Sequence, residues 1–144
     1  MGRIKLELPQ QLPFEVILPV RITDLNYGAH LGNDSLLSMI HEARVHFFAH
    51  LNYTEVDFGG VSMIMADSAI VYKSEAFQGD QLNFAIGPGD VASKSFDLYY
   101  RISNTKTQEL VAEAKTGLVC FDYDKRQPAA IPDSAKEKLE KLMV

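Results

Sequence analysis

Residues 21–44 read RITDLNYGAHLGNDSLLSMIHEAR, and two textures meet inside this stretch. Its first half is polar and punctuated by glycine, with Asp24, Asn26, Gly28, His30 and Gly32 in close succession. Asp and Asn hydrogen-bond to nearby backbone and favour turns, so this half is a loop. From there Leu36, Ile40, Ala43, Phe47 and Leu51 recur at helical spacing and define one apolar face. Asn33 or Asp34 is the expected N-cap, and Asn52 the expected stop. A helix with one apolar face has to bury that face against another layer.

The flanking sequence supplies the layer. Upstream, Phe14 to Thr23 is rich in Val and Ile and reads as a strand. Downstream, Val61 to Tyr72 is a long apolar run, and Leu82, Phe84 and Ile86 alternate with Asn83 and Ala85. Phe96, Leu98, Tyr100 and Ile102 alternate with polar neighbours, and Leu110 to Phe121 makes one more long strand. Gly79–Asp80, Gly87–Gly89 and Asn104–Lys106 read as turns. Asp133 to Met143 is a short charged helix behind Pro132. With no repeat, low-complexity block or linker, residues 1–144 read as one domain. Strand, helix, then four successive strands define an α+β roll, a curved antiparallel sheet wrapped around one long central helix. Such a sheet keeps an open edge and a bare outer face, which a second copy of the chain would cover.

Composition narrows the function. A net charge of −5 and the lack of any Lys/Arg run argue against a grip on nucleic acid phosphates. No stretch approaches the ~20 apolar residues of a membrane span, and residues 1–11 hold no apolar leader core. A single cysteine, Cys120, excludes an internal disulfide framework and fits a reducing compartment, so the expected location is the cytoplasm.

The stretch 21–44 resembles, without a gap, the active-site segment of 4-hydroxybenzoyl-CoA thioesterase-like hotdog proteins. Their usual form is R-x-x-D-x-D-x-x-G-H-V-N-N-x-x-Y followed by E-E-A-R, and Arg21, Asp24, His30, Asn33, Glu42, Ala43 and Arg44 match it. Gly79–Asp80 followed by Leu82 looks like the G-D-x-L that opens the family's next strand. The resemblance implies a hotdog fold and hydrolysis of an acyl-CoA by a homodimer or homotetramer, with no cofactor beyond the CoA of the substrate itself. The chain departs from the pattern in four places. The family's second Asp, its usual nucleophile or base, is Asn26; the first Asn of the pair is Gly32; the Tyr is Leu36; and the loop glycine sits one place early, at Gly28.

Thioester hydrolysis needs an activated water or a carboxylate nucleophile, plus donors for the oxyanion. Unsatisfied N–H groups at a helix start are such donors, so Gly32, Asn33 and Asp34 are candidate substrate-binding residues. His30 is the candidate base, because an imidazole titrates near neutrality, at about 6.5 when unperturbed. Asp24 is expected to orient His30 or the water. Asn26 has no basic oxygen and can only place the water. Each also has a plain structural reading, Asp24 and Asn26 as turn formers and Asn33 or Asp34 as a cap.

Glu42 falls on the helix side opposite Leu36, Ile40 and Phe47. Some of the hotdog thioesterases that the chain resembles carry a catalytic carboxylate on this helix, which makes Glu42 a second candidate base; the plain reading is a surface acid paired with Arg44 or a partner chain. Lys94 stands in a turn with Ser93 and Ser95, near where the resembling family binds the coenzyme's phosphates; the resemblance makes it a candidate phosphate contact, and the plain reading is a solvated lysine. Met63, Ile64 and Met65 line an acyl channel or belong to the core. His46 and His50 stand at i, i+4, but no third ligand has evident spacing and Val45 breaks the H-E-x-x-H register, so no metal is expected. Asn26 also supports a different class, an acyl-thioester binder that kept the pocket and lost the base. A dehydratase fits less well, because Asp34 stands where the H-x-x-x-G loop of such enzymes needs glycine.

Overall fold

The computed structural model describes residues 1–144. Strand β1 covers Phe14–Pro19, and a 3-10 turn over Ile22–Asp24 follows it. Helix α1 spans Asn33–His50. Strands β2 (Ser62–Tyr72), β3 (Gln81–Gly89), β4 (Ser95–Asn104) and β5 (Leu110–Asp122) come next. A two-residue β6 (Gln127–Pro128) and helix α2 (Asp133–Lys141) close the chain. The sheet runs in the order β1-β3-β4-β5-β2, antiparallel throughout, with β6 added to β5.

Helix α1 buries Leu36, Met39, Ile40, Ala43, Phe47 and Phe48 against the sheet. These join Leu82, Phe84, Ile86, Phe96, Leu98, Ile102, Ala112 and Leu118 in one core cluster. The alternation in β4 is what makes this work: Phe96, Leu98, Tyr100 and Ile102 are buried, and the residues between them are not. Phe48 meets Phe58 and Phe96 edge-on, with centroids 5.6 and 6.4 Å apart. The helix ends where Asn52 takes φ 66°, a left-handed conformation that Asn tolerates better than most residues. Helix α2 then folds back, and Lys138 Nζ donates to the Leu51 carbonyl at 2.8 Å.

Three expectations need correction. The first strand stops at Pro19 rather than Thr23, because Arg21 and Asp24 cap each other across the 3-10 turn. Val20 nevertheless stays paired, its N–H donating to the Asp80 carbonyl at 2.8 Å. Gly87–Gly89 is not a turn but the buried end of β3. Its glycines make room: a Cβ on Gly87 would collide with the Gln11 carbonyl oxygen, and one on Gly89 would lie 2.8 Å from the Tyr99 ring. The helix N-cap is Gly32, without a side-chain cap, so Asn33 and Asp34 are already helical.

Beneath α1 runs a buried polar chain. Arg44 is buried, its Nε donating to Glu55 Oε1 at 3.2 Å and its Nη1 reaching Tyr100 Oη at 3.5 Å. Tyr100 Oη shares a 2.7 Å hydrogen bond with Thr116 Oγ1. A buried charge that loses its partners costs more than a neutral group does, so the two truncations should differ. Arg44→Ala should lower stability by roughly 3 kcal/mol, because it removes the buried partner of Glu55 and leaves Tyr100 Oη with Thr116 alone. Tyr100→Phe should cost about 1–3 kcal/mol. Urea denaturation checks both, and negligible losses would show that the chain is not holding helix to sheet.

Candidate active site

The loop from Asp24 to Gly32 is a closed hairpin. Leu25 and Leu31 form an antiparallel bridge, the Asn26 N–H donates to the His30 carbonyl at 2.9 Å, and the Gly32 N–H donates to the Asp24 carbonyl at 3.0 Å. Within the tip, Gly28 N–H donates to Asn26 Oδ1 at 2.8 Å, an Asx turn. A third segment braces the hairpin: Leu31 N–H donates to the Ala76 carbonyl at 2.8 Å. The loop thus reaches the first turn of α1 with little freedom left.

Beside it opens a cavity of about 520 Å³, lined by Asn26, His30, Gly32, Asn33, Leu36 and Tyr72 among others. His30 is one-third exposed, with its side chain at 33%. His30 Nε2 and Asn26 Oδ1 flank one point, lying 3.1 and 3.2 Å from where a Cβ on Gly28 would sit. Asn33 lies at the helix start, and neither its N–H nor that of Asp34 donates to any group in the chain. Two backbone donors at the positive end of an 18-residue helix are therefore open to an incoming oxygen.

The candidates identified in the sequence separate into two groups. Asn26, His30, Gly32 and Asn33 come together at the cavity. Asp24 does not orient His30: its carboxylate is buried and accepts from the Arg21 backbone N–H at 2.8 Å and from the guanidinium at 3.1 and 3.2 Å. Burial alone would raise its pKa, but the hydrogen bonds from Arg21 outweigh that and hold it below the ordinary carboxylate value. Glu42 is equally remote, lining a separate groove with Arg21, Asp24 and Ser38 and meeting His46 Nε2 at 2.8 Å rather than Arg44. Gly32 contributes room rather than a donor, since its N–H is bound to Asp24. Asp34 Oδ1 accepts from the Ser35 N–H at 2.9 Å, and the side chain is exposed at the helix start.

Other residues stand clear of the cavity. Lys94 is exposed in the β3–β4 turn, its carbonyl accepting from Cys120 N–H. Met63 is a core residue and Met65 is exposed on edge strand β2. His50 packs on Phe14, centroids 5.3 Å apart. No group of three or more His, Cys, Asp or Glu side chains converges. Burial pushes the Cys120 thiol up to about 11, leaving little thiolate near neutral pH.

The lining also holds residues that the sequence reading passed over: Tyr27, Tyr72, Lys73, Ser74, Glu75, Ala76 and Val111. The phenol of Tyr72 is raised above its ordinary pKa by burial and then by the nearby Asp34 carboxylate, so it stays a proton donor. The local signal was a polar run, Lys73-Ser74-Glu75, ending a long apolar strand.

With this geometry in hand, the likeness to known proteins is informative. Residues 20–139 match the thioesterase-like superfamily, and the chain belongs to that family. The fold matches that of a 1,4-dihydroxy-2-naphthoyl-CoA thioesterase, Slr0204 from Synechocystis, at 22% identity and TM-score 0.79, over 88% of this chain and 97% of that one. A predicted thioesterase from Bacillus stearothermophilus matches at 19% identity and TM-score 0.80, over 91% and 96% of the two chains. The gentisyl-coenzyme A thioesterase BH1999 matches at 15% identity and TM-score 0.75, over 85% and 99%. No functionally curated protein matches the chain significantly. The architecture is the hotdog fold, and no helix is long and apolar enough to cross a membrane.

The loop shows what one departure from the family pattern costs. The pattern places glycine at position 29, where this chain has Ala29 at φ 64°, a left-handed conformation. A side chain there costs roughly 1–2 kcal/mol, offset by about 0.5–1 kcal/mol from the greater flexibility of unfolded glycine. Ala29→Gly should therefore raise the unfolding free energy by about 0.5–1 kcal/mol in a urea titration. A loss of stability would mean that the loop carries no strain at this position.

Proposed function

We propose that this chain is an acyl-CoA thioesterase, working as a homodimer or homotetramer in the cytoplasm and converting an acyl-CoA to the free acid and CoA. The observation that carries the reading is the shared cavity, where an accessible imidazole and an unclaimed helix-start amide line the same space. In this mechanism the thioester carbonyl sits at the start of α1, its oxygen facing the Asn33 N–H. Water attacks the carbonyl carbon while His30 takes its proton. The oxyanion gathers at the helix N-terminus, where the amides need no reorganisation to receive it. Collapse of the tetrahedral adduct breaks the C–S bond, and the imidazolium returns the proton to the departing CoA sulfur. Asn26, whose side-chain oxygen already accepts from the Gly28 N–H, offers its NH2 and one remaining lone pair to the water or substrate, but no base.

That same constraint favours a second reading, a non-catalytic acyl-thioester binder, because the position where the family keeps a carboxylate holds an amide. One experiment separates the two: aliphatic, branched and aromatic acyl-CoAs are mixed with a thiol reagent, with thermal shift recorded in parallel. Thiol release means hydrolysis; stabilisation without release means binding alone. In the hydrolase, His30→Ala should lower kcat by a factor on the order of 10²–10⁴. Asn26→Asp should keep or raise activity, since one carboxylate oxygen can accept from Gly28 and leave the other free. Undiminished turnover in His30→Ala would remove the imidazole from the mechanism.

A further inference from the structure

One carboxylate of the cavity faces the imidazole, and it comes from a distant part of the sequence. Glu75 Oε1 lies 3.9 Å from His30 Nε2. The segment that carries Glu75 is anchored on both sides. Lys73 and Ser74 N–H groups both donate to the Val111 carbonyl, at 2.8 and 3.2 Å, and Ser74 Oγ donates to the Leu110 carbonyl at 2.7 Å. On the other side the Ala76 carbonyl accepts the N–H of Leu31, the residue next to His30. Two backbone segments are thus tied together at the residues adjoining the two side chains. The fold thus fixes the two backbones side by side, and the side chains complete the approach.

We infer that Glu75 is the positioning residue for His30, supplying the carboxylate that Asn26 cannot. This rests on the reading of the cavity as a hydrolytic site with His30 as base. Glu75 accepts a hydrogen bond from Nε2–H, which leaves Nδ1 bare to take the proton from water. The separation is longer than a hydrogen bond, and the Glu75 side chain, 63% exposed, is free of packing that would hold it there. Contacts of this kind in ligand-free sites commonly tighten once substrate excludes water. Among the other cavity residues, Lys73 is a donor only, and the Asn26 amide is neutral, with its side-chain oxygen already accepting from Gly28. No other carboxylate lines the cavity.

The test uses the whole chain with two readouts. Imidazole ¹⁵N NMR at alkaline pH, where the ring is neutral, reports the His30 tautomer. Steady-state hydrolysis of the best acyl-CoA of the parent reports kcat and KM. Glu75→Gln should shift the tautomer population towards Nδ1–H. It should also lower kcat about 10- to 100-fold with KM changed less than about twofold. Glu75→Asp should restore part of both. A Glu75→Gln protein with parental tautomer and kcat overturns the inference. A parent that hydrolyses no acyl-CoA, while its His30 tautomer still answers to Glu75→Gln, overturns the hydrolase reading and upholds the pairing.

Discussion

The closure of the loop ahead of α1 is the constraint on which the site depends. Two backbone hydrogen bonds, Asn26 N–H to the His30 carbonyl and Gly32 N–H to the Asp24 carbonyl, turn nine residues into a hairpin whose exit is the helix itself. Because the hairpin satisfies the Gly32 donor, the free amides fall at Asn33 and Asp34, inside the helix and in line with its axis. The Arg21–Asp24 pair holds the entry of the hairpin, and the Leu31–Ala76 hydrogen bond holds the strand that leads into the helix. The core sets all this in place by burying the apolar face of α1, which leaves its N-terminus at the rim of the cavity.

The chain treats charge economically at this rim. Asp24 is neutralised by Arg21 and turned away, and Asn26 is neutral, so the first half of the loop brings no free carboxylate to the cavity. An imidazole and helix-start donors remain, beside one carboxylate, Asp34, that already accepts from the Ser35 N–H. Glu75 restores one negative charge from the far side, next to the imidazole and not within the loop.

Most of the fold was legible in the sequence, because alternation in β4 and helical spacing in α1 are properties of single segments. Misreadings arose where a distant segment decides the outcome. Glycine signals both a turn and a close approach of another chain segment. Only the passage of Gln11 and Leu12 over Gly87 shows that the second applies. The site divides in the same way. Asn26, His30, Gly32 and Asn33 lie in one short stretch and could be read together. Tyr72 to Ala76 reach the cavity only through pairing with Leu31 and Val111, which no local pattern records. Asp24 and Glu42 carry suitable chemistry but face Arg21 and His46, and only the direction of a side chain in space reveals that.

The central claim is that the first amides of α1 and the His30 ring face a bound thioester. Backbone and imidazole NMR of the intact chain, titrated with an unreactive acyl-CoA analogue carrying a methylene in place of the thioester sulfur, tests it most directly. The account predicts that the largest shift changes fall on the Asn33 and Asp34 N–H groups and on the His30 ring. Saturable binding that leaves those three signals unmoved would contradict it.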